Sequence, residues 1–220
     1  AQNIAVEQKI PVGIFSLEMS KDQLVDRLLA AQTDIDFWNI RTGQLEDADF
    51  ERLQEGMGVL ADSPIFIDDA AGGNIMEIRT KARRLQAEHN LGLIIVDYLQ
   101  LMGIDEKAGN REQEVSKLSR GLKNLAQETG VPVIALSQLS REVEKRKDKP
   151  GEPMLSDLRE SGGIEQDADL VAFLFGVSQG VIELDPNAAN KIFVKIGKQR
   201  DGILDTVELE FNKDIQLMED

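Results

Sequence analysis

Five polar residues follow short apolar runs of the sequence, and their types suit phosphate, metal or water chemistry. Glu18 follows VGIFSL, Asp97 follows LIIV, and Gln138 follows VIALS. Lys198 comes directly after KIFVKIG, and Arg200 follows two residues later. If these runs are strands of an open α/β sheet, the five residues lie at carboxyl ends of strands, where such sheets bind their ligands.

The two acidic residues each have a catalytic and a structural interpretation. Four apolar residues followed by Asp97 form the Walker-B pattern, in which the carboxylate holds the magnesium of a nucleotide. Many buried strands also end on an aspartate that caps the next segment, and the spacing alone favours that simpler role. Glu18 precedes a predicted helix, so it either polarises an attacking water or pairs with the helix dipole. For Glu18 alone the dipole role is the more common one.

The other three polar residues are open to similar pairs of interpretations. The amide of Gln138 either contacts a γ-phosphate and orients water, or belongs to a solvated loop. Lys198 and Arg200 lie in KQRDG, whose Asp201-Gly202 step is typical of a turn between two strands. A hairpin tip also presents cations to the phosphates of a neighbouring chain, so the two roles are compatible.

One further segment joins a charged loop to a buried strand. Residues 158–175, LRESGGIEQDADLVAFLF, pass from a polar run with two glycines and four acids straight into an apolar run. A surface loop usually ends before the core begins. A loop fixed to the tip of a strand indicates contact with a ligand.

The composition limits the class of protein. Hydrophobic residues make up 41% of the 220 residues, enough for the core of one large or two small domains. The net charge of −15 argues against a uniformly basic nucleic-acid surface but not against a local basic patch. With no cysteine and with His89 as the one histidine, thiolate zinc sites, disulfide frameworks and histidine metal clusters are excluded. No apolar run reaches membrane length and no leader opens the chain, which predicts a cytoplasmic protein without a membrane partner.

Apolar runs alternate with amphipathic stretches, which predicts an α/β doubly wound sheet. The first five runs are continuous, as in strands buried on both faces of a parallel sheet, whereas the last alternates like an antiparallel edge strand. Helices are predicted at 20–32 with Ser20 as N-cap, and at 47–62, 74–89 and 110–130. Strands are predicted at 12–17, 64–68, 91–102, 131–139, 168–175, 191–196 and 206–211.

Six segments resemble, in sequence and in order, the C-terminal motor domain of DnaB-type replicative helicases, which has a RecA-like fold. The segments run in the family's order over nearly the whole chain from residue 11. The resemblance implies a single RecA-like domain over residues 1–220, with a mostly parallel sheet and an antiparallel edge. The six segments are PVGIFSLEMS, LIIVDYLQLM, NREQEVSKLSRGLKNLA, VPVIALSQLSREVEKR, LSDLRESGGIEQDAD and VKIGKQRDG.

The resemblance assigns a role to each polar residue at the strand ends. Glu18 matches the catalytic glutamate that activates water, and Asp97 matches the Walker-B ligand that acts on Mg²⁺ through bound water. Gln138 matches the sensor that couples the γ-phosphate to DNA. Lys198 and Arg200 match the finger that reaches the ATP of the neighbouring subunit, where its charge stabilises phosphoryl transfer.

The resemblance also explains the charged loop. Arg159, Glu160 and Gly162 match the loop that grips one strand of DNA in the central channel of a ring. The Arg159 side chain and backbone amides around Gly162-Gly163 would hold phosphates without reading bases. Because six copies converge on the channel, a few inward-facing cations are enough for an acidic protein to bind DNA.

The implied function is ATP-dependent 5′-to-3′ DNA unwinding at the replication fork. The motor is a homo-hexameric ring that takes ATP and Mg²⁺, moves on single-stranded DNA, and has primase and a helicase loader as partners in the full-length protein. The phosphate-binding loop GxxxxGK[ST] does not occur in the 220 residues. The family's copy is expected before Ala1, so the domain is expected to be incomplete at its N-terminus and to bind ATP poorly alone. FGVSQGVIELDPNAAN departs from the arginine- and tyrosine-rich segment usual in the family.

Two other functions use some of the same features. A RecA-type strand-exchange or clock-type ATPase shares the Walker-B strand and ring assembly but is expected to lack the LRESG motif. A degenerate, non-hydrolysing RecA-like paralogue would act as an assembly module. A complete set of Glu18, Asp97, Gln138, Lys198 and Arg200 is not expected in such a copy, so the helicase is the preferred interpretation.

Overall fold

A computed structural model describes most of the chain, and the chain divides into two units. Unit one comprises Ala1–Lys107 and Arg120–Gln138, and unit two comprises Ala108–Ser119 and Leu139–Asp220. That all 220 residues form one RecA-like domain stays a prediction. The described residues are 1–69, 74–103, 111–140, 143, 146, 151–177 and 179–219, without the side chains of 159–161, 179–180, 184 and 186–187.

Unit one contains four strands with helices between them, and unit two contains four further strands together with shorter helical segments. The helices are α1 (Gln2–Val6), α2 (Lys21–Thr33), α3 (Phe37–Thr42), α4 (Asp47–Ala61), α5 (Ile75–His89), α6 (Arg111–Thr129), α7 (Gly162–Asp167) and α8 (Gln179–Leu184). The strands are β1 (Val12–Ser16), β2 (Ile65–Asp68), β3 (Leu93–Asp97), β4 (Val133–Ala135), β5 (Leu170–Gly176), β6 (Lys191–Gln199), β7 (Thr206–Asn212) and β8 (Leu217–Glu219). Short 3₁₀ helices cover Leu99–Leu101, Leu155–Ser161 and Pro186–Asn190.

Unit one contains a parallel sheet with the strand order β2-β1-β3-β4. Every residue of β1 is buried, as expected for an apolar run in the centre of such a sheet. Val12 and Ile14 pack in a core cluster with Leu93 and Ala5. The register places Ser16 beside Asp97, so the carboxyl ends of β1 and β3 lie side by side.

The helix boundaries of unit one follow from capping residues. Ser20 is the N-cap of α2, where it accepts a hydrogen bond from the backbone N–H of Gln23 while the Gln23 side chain accepts from the N–H of Ser20. Asn74 is the N-cap of α5, where its side chain accepts a hydrogen bond from the backbone N–H of Glu77. Gly130, directly after α6, has φ +67°, a left-handed conformation that favours glycine. The predicted ends of these helices are confirmed to within about one residue.

Unit two contains an antiparallel sheet with the order β5-β6-β7-β8. The sequence predicted β5 as a strand of the parallel sheet, buried on both faces, and this prediction is wrong. β5 pairs antiparallel with β6, and its burial alternates: Val171 and Phe173 are buried, whereas Leu170 and Leu174 are 49% and 53% exposed. A continuous apolar run therefore did not distinguish a two-sided strand from a one-sided one.

The other end of the antiparallel sheet also differs from the prediction. β7 does alternate, with Leu209 and Phe211 less exposed than their neighbours. It is not the edge strand, however, because β8 pairs with it through Phe211 and Met218. The α/β class with antiparallel strands is confirmed, and the antiparallel part is larger than expected. Within the described part of the chain, no helix is both long and apolar enough to cross a membrane.

Candidate functional site

Glu18 and Asp97 lie together at the carboxyl edge of the parallel sheet. The N–H of Leu17 donates to the carbonyl oxygen of Asp97 at 2.6 Å, which continues the pairing of β1 with β3 by one residue. Glu18 follows at once and is exposed, while Asp97 is partly buried. The sequence placed both residues at strand ends, and the sheet register brings those ends together.

The carboxylates of Asp97 and Glu18 are close enough at this edge to repel each other. Burial raises the pKa of Asp97 above its ordinary value, and the negative charge of Glu18 raises that pKa further. A cation bound at this edge would relieve both effects, because it replaces lost solvation and opposes the repulsion between the acids.

Magnesium fits this edge only together with other ligands. Among the described residues, no group of three or more His, Cys, Asp or Glu side chains could hold a metal ion. Magnesium commonly binds one or two protein carboxylates, with phosphate oxygens and waters completing its octahedron. The donor chemistry therefore suits a magnesium-phosphate ligand rather than a protein-only metal site.

Ser16 fixes the turn that carries Glu18, and the sequence analysis missed it. Ser16 is 1% exposed. Its hydroxyl donates to the carbonyl oxygen of Met19 at 2.8 Å and accepts from the N–H of Met19 at 3.2 Å. One buried side chain thus closes the turn from the end of β1 to the N-cap of α2. Serine after an apolar run carries no pattern that would have indicated this.

Gln138 lies at the same edge, after β4, with an exposed side chain. The two acids at the end of β2, its last residue Asp68 and the following Asp69, have a different role. Asp68 pairs with Lys81 at 2.7 Å, and Asp69 accepts from the backbone N–H of Lys21 at 2.7 Å. These contacts join the end of β2 to α5 and to the start of α2, which is a structural role.

Lys198 and Arg200 belong to unit two, and both have partners there. The Lys198 ammonium donates to the carbonyl oxygens of Glu165 and Ala168, the latter at 2.8 Å. The guanidinium of Arg200 lies 3.1 Å from the carboxylate of Asp169. The sequence placed Lys198 in a turn, but β6 continues to Gln199, so Lys198 is a strand residue.

The segment predicted as a charged loop is helical, a 3₁₀ helix followed by α7, and its base is fixed to β5 as the sequence suggested. Leu158 is buried and packs with Val171 and Phe173 of β5. The backbone of Arg159 and Glu160 lies in the 3₁₀ helix that precedes α7, and their side chains lie outside what the structure describes. Gly162 is the first residue of α7.

An ion pair between a buried carboxylate and a partly exposed arginine precedes the same segment, and the sequence analysis did not identify it. Asp157 is 7% exposed; its carboxylate accepts hydrogen bonds from the guanidinium of Arg146 and from the N–H of Met154. A second nitrogen of Arg146 donates to the carbonyl oxygen of Glu152 at 2.7 Å. Removing Arg146 would leave the buried Asp157 carboxylate without its ion-pair partner.

The two glycines of the loop have different surroundings. A Cβ added to Gly163 would lie 2.5–2.7 Å from the side chain and Cα of Ser116 in α6. A Cβ added to Gly162 would meet only a carboxylate oxygen of Glu112, at 3.7 Å. Gly163 therefore permits close packing of α7 on α6, whereas Gly162 has no such steric requirement.

Comparison with known proteins finds one family and several close relatives. The family model described as "DnaB-like helicase C terminal domain" matches residues 1–220. The chain is 51% identical over 215 residues to the replicative DNA helicase DnaC of Bacillus subtilis (strain 168), covering 97% of the chain and 46% of that protein. Identity and coverage are the same for the replicative DNA helicase DnaB of Geobacillus stearothermophilus.

A solved structure gives the same result for the fold. The structure described as a DnaB-like replicative helicase and its interactions with primase superposes with a TM-score of 0.91 at 36% identity. It covers 100% of the chain, and the chain covers 52% of that structure. The chain thus spans about half the length of the relatives that it matches.

Proposed function

Because the chain belongs to the DnaB-like helicase C-terminal domain family, we propose that it is the motor domain of a replicative DNA helicase. The motor hydrolyses ATP and drives a ring along single-stranded DNA in the 5′-to-3′ direction at the replication fork. The observation that carries the proposal is the placement of Glu18 beside Asp97 at the carboxyl edge of the sheet, where burial and the Glu18 charge together raise the Asp97 pKa.

Asp97 and Glu18 have different proposed roles at this edge, metal binding and general-base catalysis. Asp97 would hold Mg²⁺ through bound water, and Mg·ATP supplies the phosphoryl group and the cation that neutralises its charge. Glu18 accepts a proton from the attacking water, as a carboxylate general base does. Its exposure leaves the carboxylate accessible to water, and the Ser16 hydroxyl fixes the turn on which it sits.

Gln138, Lys198 and Arg200 complete the proposed machinery. The exposed amide of Gln138 would contact the γ-phosphate at the edge that also carries Asp97. The two cations would act on the nucleotide of a neighbouring subunit and stabilise the charge of the transition state. To do so they must exchange the contacts that they make within unit two, with Ala168 and Asp169. The proposal includes a homo-hexameric ring, because a finger of this kind acts only across a subunit boundary.

The charged loop is the proposed DNA contact. Arg159 and Glu160 would lie against the DNA, and the amide of Gly162 would donate to a phosphate without regard to base. The anchoring of Leu158 to β5 supports this assignment, because a loop that transmits movement to DNA needs a fixed base. Primase and a helicase loader are the proposed protein partners, the cytoplasm the proposed location, and no membrane partner is proposed.

The test is ATP hydrolysis by the full natural chain that contains these residues, with and without single-stranded DNA. We expect DNA to stimulate turnover and Glu18→Gln to lower it by roughly 100- to 10,000-fold, the usual contribution of a general base. Glu51→Gln, an exposed position on α4, is the matched control and should retain full turnover. Unwinding of a fork with a 5′ tail, but not of one with only a 3′ tail, would establish the direction.

A specific result would overturn the proposal. A folded, ring-forming chain that shows no DNA-stimulated hydrolysis is not a motor. That outcome would favour the degenerate assembly module instead. Hydrolysis that DNA does not stimulate, in a chain that does not unwind forks, would favour the clock-type ATPase.

A further inference from the structure

The side chain of Gln100 holds the backbone of Gln138 at both of its polar groups. Its Nε2 donates to the carbonyl oxygen of Gln138 at 3.2 Å, and its Oε1 accepts from the Gln138 N–H at 3.2 Å. Nε2 also donates to the hydroxyl of Ser137 at 2.9 Å. One carboxamide thus makes the pair of bonds that a neighbouring strand would make.

These bonds extend the pairing of β3 with β4 beyond the end of the sheet. The N–H of Leu136 donates to the carbonyl oxygen of Val96 at 2.9 Å, and the N–H of Leu99 donates to the carbonyl oxygen of Leu136 at 3.0 Å. The chain then turns into the short 3₁₀ helix that contains Gln100. At Gln138, the Gln100 side chain takes the place of a strand backbone.

The result is a residue with a fixed backbone and an exposed side chain. Gln138 is exposed, yet its N–H and carbonyl are both bonded to Gln100. Gln100 lies three residues after Asp97 in the chain. The segment that carries the Walker-B aspartate therefore also sets the position of the Gln138 backbone.

We propose that Gln100 is a positioning residue for the hydrolysis reaction, which it serves by aiming the Gln138 amide at the γ-phosphate. This inference rests on the proposed function, in which Gln138 is the sensor. Gln100 touches no reacting atom. It acts by keeping Gln138 and Asp97 in one rigid arrangement, so that a movement of one is transmitted to the other.

The chemistry of the contact requires a glutamine. A carboxamide offers a donor and an acceptor at the same end of one side chain. Gln100→Glu keeps the size but removes the donors to Ser137 and Gln138 and places a carboxylate against the carbonyl oxygen of Gln138. Gln100→Leu removes both bonding functions without adding charge. The matched control is Gln54→Glu, the same change at an exposed site on α4.

The first measurement is amide hydrogen exchange in the full natural chain. We expect Gln100→Glu and Gln100→Leu to speed exchange in the peptide around Gln138, because its N–H loses its acceptor or its fixed geometry. Gln54→Glu should leave that peptide unchanged. Unchanged exchange in both Gln100 variants would overturn the positioning role directly.

The second measurement separates positioning from simple destabilisation. We expect both Gln100 variants to lower the DNA-stimulated kcat roughly 10- to 100-fold, the cost of a small misplacement in a catalytic site. The KM for ATP should stay within about twofold, since the proposed contact serves the transition state. Gln100→Leu combined with Gln138→Ala should be no slower than Gln138→Ala alone, because the two residues act as one unit.

The outcomes distinguish this inference from the proposed function. Wild-type kcat in the Gln100 variants, or losses that multiply in the double variant, would overturn the positioning role while leaving the helicase in place. Absence of DNA-stimulated hydrolysis in the wild-type chain would overturn the proposed function and, with it, the catalytic purpose assigned to Gln100.

Discussion

The ammonium of Lys198 lies 2.8 Å from the carbonyl oxygen of Ala168, directly after the last residue of α7. It also donates to the carbonyl oxygen of Glu165 within that helix. A cation at the C-terminus of a helix satisfies carbonyls that have no partner in the helix and opposes the negative end of its dipole. In this structure Lys198 is therefore a helix cap that ties β6 to α7.

Replacing Lys198 should lower the stability of unit two, independently of any effect on catalysis. Lys198→Met keeps the length of the side chain but removes its donors, so the free energy of unfolding should fall by about 2 kcal/mol, the range for hydrogen bonds to a charged group. Urea denaturation measures this change. Lys191→Met, which removes an exposed pair with Glu208, is the control and should change little. Equal effects of the two variants would argue against the cap.

The two adjacent glycines of the charged loop should respond differently to alanine. Gly163→Ala forces a Cβ to within 2.5–2.7 Å of Ser116, so α7 must shift and the free energy of unfolding should fall by roughly 1–3 kcal/mol, as for other overpacked sites. Gly162→Ala has room and keeps its N–H, so stability should stay the same or rise slightly. Thermal unfolding of both variants, with DNA affinity at fixed salt, tests this. A stable Gly163→Ala would contradict the close packing of α7.

The raised pKa of Asp97 predicts a stability gain when its charge is removed. A carboxyl group whose pKa is higher in the folded protein favours folding below its unfolded pKa, and that contribution is lost as the pH rises through the folded pKa. The ionised Asp97 therefore costs stability at neutral pH. Asp97→Asn should be more stable than wild type at pH 7, and the difference should vanish below the ordinary aspartate pKa of about 3.9.

Urea denaturation between pH 3 and pH 7 measures this difference, and Glu51→Gln serves as a surface-carboxylate control. Asp97→Asn should lose ATP hydrolysis at the same time, since the Mg²⁺ ligand is gone. If Asp97→Asn is no more stable than wild type at pH 7, the ionised Asp97 carboxylate does not destabilise the folded protein.

Loss of the Ser16 hydroxyl should affect both the turn and the reaction. Ser16→Ala removes two hydrogen bonds to the backbone of Met19, which should lower the free energy of unfolding by about 1–2 kcal/mol. It should also lower kcat, because Glu18 then sits on a looser turn. Ser63→Ala removes a comparable bond to the carbonyl of Leu60 at the end of α4, and it should leave kcat unchanged. Similar kcat in both variants would refute the positioning of Glu18 by Ser16.

Much of unit one could be predicted because its signals are local. Buried apolar runs bounded by polar residues gave the strands of the parallel sheet, and caps such as Ser20 and Gly130 gave the helix ends. β3 and β4 are exceptions in length, since runs predicted as strands over 91–102 and 131–139 pair only over Leu93–Asp97 and Val133–Ala135. β4 was also predicted to be buried on both faces, but it lies at the edge of the sheet and its Ile134 is 48% exposed. The sequence placed Glu18 and Asp97 at carboxyl ends of strands, but that their two strands are neighbours became known only from the strand order of the structure.

The features that sequence analysis missed have no pattern in the sequence to mark them, and several depend on contacts between distant segments. Gln100 and Gln138 are far apart in the chain, and no spacing or periodicity links a side chain to a backbone across that distance. β8 was missed because it is short and follows a turn with Gln216 at φ +58°, where no glycine marks the bend. The direction of β5 depends on its partner β6, which its own composition does not specify.

The two sheets differ in how soon a strand meets its partners as the polypeptide leaves the ribosome. In the parallel sheet Val12 pairs with Ile65 and with Leu93, so the central strand β1 waits for chain made much later. In the antiparallel sheet Lys195 meets Thr206, close behind it in the chain. Contacts between near neighbours close small loops and form early, whereas distant ones form slowly. During synthesis, then, β1, whose five residues are all buried in the folded sheet, waits longer for its partners than β6 waits for β7, and it depends longer on protection from aggregation.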